Sequence, residues 1–144
     1  MGARGEWWVV AQGVLLALLA LAPGDRFRLF SAGALVALSG GLLALAGALA
    51  LGPSLTPFPA PAERAREVYG GVYGLVRHPI YAGVLLASLG FSLATASPVR
   101  LAITAVLALF FDRKAQREEG WLHERYPGYE AYRARVKRFI PGIY

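Results

Sequence analysis

Residues 29–51 read LFSAGALVALSGGLLALAGALAL, a run of 23 residues without a charged side chain. About 20 helical residues are needed to cross the hydrocarbon core of a bilayer, so this segment predicts a transmembrane helix. Further apolar stretches precede it at 7–22 and follow it at 80–111, and the later stretch is interrupted by Ser-Pro-Val-Arg at 97–100. The sequence therefore predicts an all-α integral membrane protein with about four transmembrane helices.

The composition agrees with this class, because 56% of the 144 residues are hydrophobic and 17% are charged, whereas soluble domains average about 25% charged residues. We expect residues 1–144 to form a single membrane-embedded domain. Its predicted parts are spans at 7–22, 29–51, 80–96 and 98–112, a connector at 52–79 and C-terminal amphipathic helices at 112–140. A signal peptide is the alternative for the first span, but the adjacent Trp7 and Trp8 favour an interfacial anchor.

Basic residues are segregated between the two sides of this arrangement. The amino terminus, the connector and the tail hold 12 of the 15 lysines and arginines, and the opposite loops hold Arg26, Arg28 and Arg100. By the positive-inside rule both termini are predicted to be cytoplasmic. The expected location is a bacterial or archaeal cell membrane. The tail mixes basic with acidic residues and is tethered to the membrane, so no nucleic-acid partner is expected.

Small residues recur at every fourth position of the second span. The two rows are Gly33, Ala37, Gly41 and Gly40, Ala44, Ala48. Such rows let helices approach closely, so this span is predicted to lie at a helix interface, which could also join copies of the chain in a homo-oligomer. The alternative is that Ala and Gly are abundant throughout the chain.

Residues 74–83, Gly-Leu-Val-Arg-His-Pro-Ile-Tyr-Ala-Gly, place an Arg-His-Pro turn where the third span begins. Charge and an imidazole are costly at the end of a membrane helix unless they bind something, so this turn is the first candidate for a functional site. Four prolines within 52–61 predict that the chain leaves the membrane in an extended form. Tyr69 and Tyr73, among nearby glycines, could contact a ligand.

The sequence becomes polar after Phe111. Residues 112–126 predict a helix that emerges from the membrane, and Pro127-Gly128 ends it. Helical spacing of apolar residues then continues to Ile140, which predicts a second short amphipathic helix folded back onto the membrane surface.

Lys114 and Glu118 are four residues apart on the first of these helices and could form a surface ion pair. The Glu118-Glu119 dipeptide is harder to explain in this way, because acidic residues beside lipid headgroups oppose the attraction of a basic tail to anionic lipid. A carboxylate at this place is better explained if it contacts a cation or a ribose.

Four sequence elements occur in the order and spacing of a known family. They are Arg77-His78-Pro79-Ile80-Tyr81-Ala82-Gly83, Glu118-Glu119-Gly120-Trp121-Leu122, Tyr126-Pro127-Gly128-Tyr129-Glu130-Ala131-Tyr132 and Arg138-Phe139-Ile140-Pro141. From about Leu51 to Pro141 the chain resembles the isoprenylcysteine carboxyl methyltransferase family, and phospholipid N-methyltransferases share the pattern. The first two spans resemble the family only as hydrophobic helices. The resemblance implies a membrane-embedded methyltransferase that uses S-adenosylmethionine without a Rossmann sheet.

The resemblance also implies a cofactor pocket between the connector, the last two spans and the tail. The matching cofactor-binding positions are Glu67, Val68, Tyr73, His78, Pro79, Ile80, Tyr81 and Glu118. Lys114 would face a lipophilic acceptor, at a position where the family usually has Arg, and this departure leaves the acceptor open. A prenylcysteine-like carboxylate would need no general base, whereas for a lipid amine His78 would be the nearest proton acceptor.

Two other functional classes remain open. Membrane sterol reductases share the Arg-His-Pro-x-Tyr turn and bind NADPH, although they are much longer. A small four-span transporter or a non-catalytic scaffold is the third class, but exporters of this kind need an acid in mid-membrane, and Glu6 lies only at the edge of the first span. With two histidines 45 positions apart and no cysteine, no metal site is predicted.

Overall fold

The computed structural model describes residues 5–24, 30–60 and 66–144. These residues form α1 (Glu6–Leu21), α2 (Phe30–Leu51), α3 (Pro79–Ala94), α4 (Pro98–Arg125) and α5 (Tyr129–Arg135), with 3₁₀ turns at Gly52–Ser54 and Gly71–Gly74. One isolated parallel bridge, between Val76 and Lys137, is the only β-type pairing in the described part of the chain. The predicted all-α class is confirmed.

Helix α4 is a single element of 28 residues, so the predicted fourth span and the predicted emerging helix are continuous. It begins at Pro98, which suits the first helical position, and the Ser97 side chain caps it by accepting a hydrogen bond from the Arg100 backbone N–H. It ends at Arg125, two residues before Pro127, which cannot continue a helix. At 1.5 Å per residue the helix is about 42 Å long, long enough to carry its last turns beyond a bilayer core.

Helices α2 and α3 pack closely through small residues. A methyl group at Gly40 would lie 2.3 Å from the backbone nitrogen of Ala87, and one at Gly83 would lie 2.4 Å from that of Ala44. Gly41 has no such neighbour within 4 Å. The predicted helix interface therefore exists within the chain, on the Gly40 face of α2, while homo-oligomerisation remains a prediction.

Within the described residues one helical stretch, Ala32–Ser54, is both long and apolar enough to cross a membrane, with a mean hydropathy of 2.2 over its most apolar window. Helices α1 and α3 are apolar but shorter, at 16 residues each. Leucines on α2, such as Leu38 and Leu49, have more than half of their surface exposed. One membrane-capable helix is thus established, and four spans remain a prediction.

The helices pack in the spatial order α1, α4, α3, α2. At one end, Ser97 Oγ donates a hydrogen bond to the Pro23 carbonyl (2.5 Å), and Arg100 Nε donates one to the Leu19 carbonyl (3.2 Å). At the other end, Lys114 Nζ donates to the Pro57 carbonyl (2.9 Å). The connector and the tail therefore meet at the same end of the helices.

The predicted helix through Ile140 is wrong beyond Arg135. There the chain becomes extended, and the backbone carbonyls of Lys137 and Arg138 accept hydrogen bonds from the N–H groups of Arg77 and His78 (2.8 and 3.1 Å). These bonds satisfy the backbone of both segments. The end of the tail is therefore bound to the connector, where the sequence had predicted an amphipathic helix on the membrane surface.

Candidate active site

A cavity of about 360 Å³ opens where the connector, the tail and four helices meet. Small-molecule sites usually measure roughly 300 to 1,000 Å³. Eight of the nine predicted site residues line it: Glu67, Val68, Tyr73, His78, Ile80, Tyr81, Lys114 and Glu118. The structure thus brings residues from four separate segments together around one space.

Pro79 is the exception among the predicted residues. It is fully buried at the first position of α3 and does not line the cavity. A proline there loses no helical hydrogen bond and has its backbone angle already set for a helix. Its contribution is to start α3 directly after His78, whose imidazole is part of the cavity lining.

Glu118, like Glu67, contributes a carboxylate to the lining of the cavity. Its Oε2 accepts a hydrogen bond from the Tyr81 hydroxyl at 2.9 Å and lies 3.6 Å from His78 Nδ1. Burial raises the pKa of Glu118, against the opposing effects of His78, Tyr81 and Lys114. A carboxylate whose charge is incompletely compensated favours a cationic ligand group.

Lys114 is buried, with 1% of its surface exposed, so the alternative of a surface ion pair is wrong. Its Nζ donates hydrogen bonds to Gln12 Oε1 at 2.6 Å and to the Pro57 carbonyl at 2.9 Å, and lies 5.2 Å from the centre of the Tyr81 ring. Burial lowers the pKa of Lys114, while the charge of Glu118 opposes the shift. Gln12 was not among the predicted site residues, although a lone polar side chain inside an apolar span was a usable signal.

Glu119 was singled out in the sequence only as part of the Glu118-Glu119 dipeptide and was not among the predicted site residues. It lies behind the cavity, 5% exposed, and its Oε1 accepts hydrogen bonds from Arg77 Nε and Arg138 Nε at 3.0 and 3.1 Å and lies 3.0 Å from His78 Nε2. Arg138 NH2 donates to its other oxygen at 3.0 Å. Although burial opposes it, hydrogen bonds from His78, Arg138 and Arg77 hold the pKa of Glu119 well below its usual range.

Tyrosines form the wall of the cavity away from the apolar helices. The rings of Tyr69 and Tyr132 are 4.5 Å apart, and the Tyr132 hydroxyl donates to the Tyr73 carbonyl at 2.6 Å. Burial raises the pKa of Tyr132 to about 12, so its phenol remains protonated. Tyr129 also lines the cavity, is 2% exposed, and has a buried hydroxyl without a hydrogen-bond partner among the described residues. A buried hydroxyl without such a partner is unusual in a folded protein.

No group of three or more His, Asp or Glu side chains in the described parts of the chain is placed to hold a metal ion. The second histidine, His123, is 59% exposed at its side chain and lies 3.4 Å from Glu130 on the surface. His123 is therefore a surface residue.

A family model for phospholipid methyltransferases matches residues 28–128. The match covers α2, α3, α4 and the connector, and leaves out α1 and α5, although both contribute to the cavity. The second span therefore belongs to the matched region, whereas sequence comparison by motif had treated it only as a hydrophobic helix.

Similar curated proteins cover the chain only in part. Cobalt-zinc-cadmium resistance protein CzcN of Cupriavidus metallidurans is 38% identical over 80 residues, which are 53% of this chain and 36% of that protein. A protein named "Probable protein-S-isoprenylcysteine O-methyltransferase" in Oryza sativa, subspecies indica and japonica, is 36% identical over 83 residues, 56% of this chain and 44% of the relative. The chain thus spans less than half the length of the curated relatives it matches.

Proposed function

Because this chain belongs to the phospholipid methyltransferase family, we propose that it transfers a methyl group from S-adenosylmethionine to a lipophilic acceptor that reaches the cavity from the bilayer. The observation that carries the proposal is the cavity itself, where Glu118 and His78 face a tyrosine-lined space beside the membrane-capable helix α2. Lys114 lies on the same cavity wall, toward α1.

The residues of the cavity suit the chemical groups of S-adenosylmethionine. Glu118 offers a carboxylate to an ammonium group or a ribose hydroxyl, and the unpartnered Tyr129 hydroxyl offers a further hydrogen bond. The neighbouring rings of Tyr69 and Tyr132, tilted by 32° to each other, present aromatic surface to an adenine ring. The cofactor supplies a methyl group on a sulfonium, whose leaving group is already activated, so the protein's task is alignment and electrostatics.

The acceptor side is proposed to lie toward Lys114. Both hydrogen-bond acceptors of its ammonium group, Gln12 and the Pro57 carbonyl, are uncharged. An acceptor carboxylate, as in a prenylcysteine-like compound, would therefore meet an ammonium group that has no carboxylate among these hydrogen-bond partners. For a lipid amine, His78 is the side chain that could accept a proton. Both acceptor classes are compatible with the cavity.

We further propose that α1, α2, α3 and α4 all span the membrane, with the cavity and both termini on the cytoplasmic side of a bacterial or archaeal cell. The connector and the tail meet at one end of these helices, and this end holds most of the positive charge. The whole chain would then be one membrane-embedded domain.

The family match favours methyl transfer over an NADPH-dependent reductase related to sterol reductases, and over a transporter or scaffold. Calorimetric titration of the detergent-purified protein with S-adenosylmethionine, S-adenosylhomocysteine and NADPH separates the three. We expect both adenosyl compounds to bind and to raise the thermal midpoint, because a ligand selective for the folded state stabilises it. Binding of NADPH alone would support the reductase, and binding of none of the three would support a non-catalytic role.

A further inference from the structure

The imidazole of His78 lies between two carboxylates that have different surroundings. Its Nε2 is 3.0 Å from Glu119 Oε1, and its Nδ1 is 3.6 Å from Glu118 Oε2. Glu118 lines the cavity, whereas Glu119 does not. The two ring nitrogens therefore face opposite ways, Nδ1 toward the cavity side and Nε2 toward a buried ion cluster.

The ion cluster determines which nitrogen carries a proton. Glu119 Oε1 already accepts hydrogen bonds from Arg77 Nε and Arg138 Nε, and both guanidinium groups are permanent donors. A carboxylate held ionised by two guanidinium groups has no proton to donate. The contact between Glu119 and Nε2 is therefore a hydrogen bond only if Nε2 carries the proton.

The orientation of the ring is restrained from other directions too. The Tyr81 ring is stacked on it at 5.4 Å with an interplanar angle of 3°, and Phe139 contacts it edge-on at 6.0 Å. The His78 backbone N–H donates to the Arg138 carbonyl at 3.1 Å. A ring flip would exchange the positions of the two nitrogens. It would break the bond between Nε2 and Glu119 and place Nδ1 of His78 against the ion cluster instead.

We propose that Glu119 is a positioning residue, which keeps a proton on Nε2 of His78 and so leaves Nδ1 as the ring nitrogen that exchanges protons with the cavity. The use of this nitrogen in catalysis rests on the proposed function. If the acceptor is a protonated amine, it must release a proton before its nitrogen can be methylated. That proton passes to Nδ1, the resulting imidazolium lies between the carboxylates of Glu118 and Glu119, and the proton then leaves to water through the open cavity.

The chain allows a direct test, because it contains only two histidines. Nitrogen-15 NMR of the full-length protein, labelled at histidine and held in nanodiscs without ligand, distinguishes protonated from bare ring nitrogens. The exposed His123 provides an internal reference, and His123→Gln assigns the signals. As the pH is raised until the His78 ring is neutral, we expect Nδ1 to lose its proton and Nε2 to keep it. Loss of the proton from Nε2 would overturn the proposal.

A matched pair of variants tests the role of Glu119 itself. Glu119→Gln keeps the shape but introduces an amide that can donate as well as accept, so we expect a mixture of both neutral forms of His78. Asp112→Asn removes the other carboxylate partner of Arg138, 2.5 Å away, and does not contact His78, so it should retain the proton on Nε2. An unchanged tautomer in Glu119→Gln would refute the positioning role.

The two proposals fail separately. If Glu119→Gln does not fold, the tautomer of the unmodified chain still decides between the two nitrogens. If the chain does not bind S-adenosylhomocysteine, the proposed function fails, whereas the NMR result needs no ligand.

Where an amine acceptor is turned over, Glu119→Gln should lower kcat with little change in affinity for S-adenosylhomocysteine, and Glu119→Asp should restore part of the loss. If Glu119 had a purely structural role, Glu119→Gln would lower stability without a selective loss of kcat relative to the affinity for S-adenosylhomocysteine.

Discussion

Lys114 Nζ donates a hydrogen bond to Gln12 Oε1 at 2.6 Å, and this bond joins the fourth helix to the first across 102 positions of sequence. The second acceptor, the Pro57 carbonyl, adds the connector to the same junction. Neither acceptor is charged, so two dipoles and the face of the Tyr81 ring stabilise a buried ammonium group. A polar contact inside an apolar helix thus helps to hold α1 beside the cavity.

Gln12→Leu should destabilise the protein, because it removes one of the two oxygen acceptors of a buried ammonium group. A hydrogen bond to a charged group contributes about 1.5 to 3 kcal/mol, and the thermal midpoint in detergent measures the loss. Gln116→Leu is the control, since the Gln116 amide donates to Asp112 on the exposed side of α4. Equal thermal midpoints for the two variants would show that the contact of Gln12 with Lys114 contributes little.

The sequence predicted those cavity residues that lie in contiguous motifs. The segment from His78 to Tyr81 and the residue Glu118 could be placed because the family resemblance, carried by contiguous motifs, implies that they line the cofactor pocket. Gln12 and Tyr129 were not placed in the cavity, because their partners there come from packing between segments far apart in sequence. The bonds that end helix α5 after Arg135 are likewise made to the connector.

Glu118→Gln should weaken binding of S-adenosylmethionine by about 10- to 150-fold, the equivalent of one charge-assisted hydrogen bond of about 1.5 to 3 kcal/mol. The physical reason is the loss of a carboxylate that lines the cavity. Glu124→Gln, on the exposed side of the same helix, is the control and should bind like the parent. Calorimetry measures both affinities, and equal values would remove Glu118 from the proposed cofactor site.

Gly40→Ala and Gly41→Ala should have opposite effects on stability. The added methyl at Gly40 would lie 2.3 Å from the Ala87 nitrogen and 2.5 Å from the Gly83 carbonyl oxygen, so α2 and α3 must separate, at a cost of about 1 to 3 kcal/mol. At Gly41 the methyl meets nothing within 4 Å, and the better helix propensity of alanine should stabilise slightly. Thermal midpoints of the two variants measure these effects. A similar loss of stability in both would contradict the close packing of α2 against α3.

The small-residue rows of α2 show which features of helix packing can be predicted from periodicity and which cannot. Spacing alone predicted that α2 has a face for close packing, and this face exists. Spacing did not distinguish the row containing Gly40 from the position of Gly41, nor did it identify α3 as the partner. The choice depends on the rotation of α2 about its axis, which neighbouring helices set.

Single cysteines should report the orientation of the helices, because the chain contains no native cysteine. Val99→Cys, 45% exposed at the loop end of α4, should react with an impermeant thiol reagent added outside intact cells. Ala134→Cys, exposed on α5, should react only after the cells are opened. Ser97 is less suitable, since it is buried and bonded to Pro23. The reverse pattern of labelling would contradict the proposed topology.

Glu119 and Glu118 should affect acid stability in opposite directions. The pKa of Glu119 is lowered from the usual 4.5, so below about that pH the unfolded chain binds a proton that the folded chain does not, and the free energy of unfolding falls as the pH falls. The pKa of Glu118 is raised above 4.5, so the folded chain binds its proton first, and this carboxyl favours folding as the pH falls toward 4.5.

Thermal midpoints between about pH 3 and 7, in one detergent, test both signs, with each unit of pKa displacement worth about 1.4 kcal/mol. Glu119→Gln should be less stable than the parent near neutrality, because Arg77 and Arg138 lose a shared carboxylate, but its midpoint should fall less steeply below pH 4.5. Glu118→Gln should instead lose the gain in stability that the parent shows as the pH approaches 4.5 from above. If the thermal midpoints of Glu119→Gln and the parent fall in parallel through the acid range, the buried cluster does not hold Glu119 ionised. Glu119 would then not be the fixed acceptor that keeps a proton on His78 Nε2.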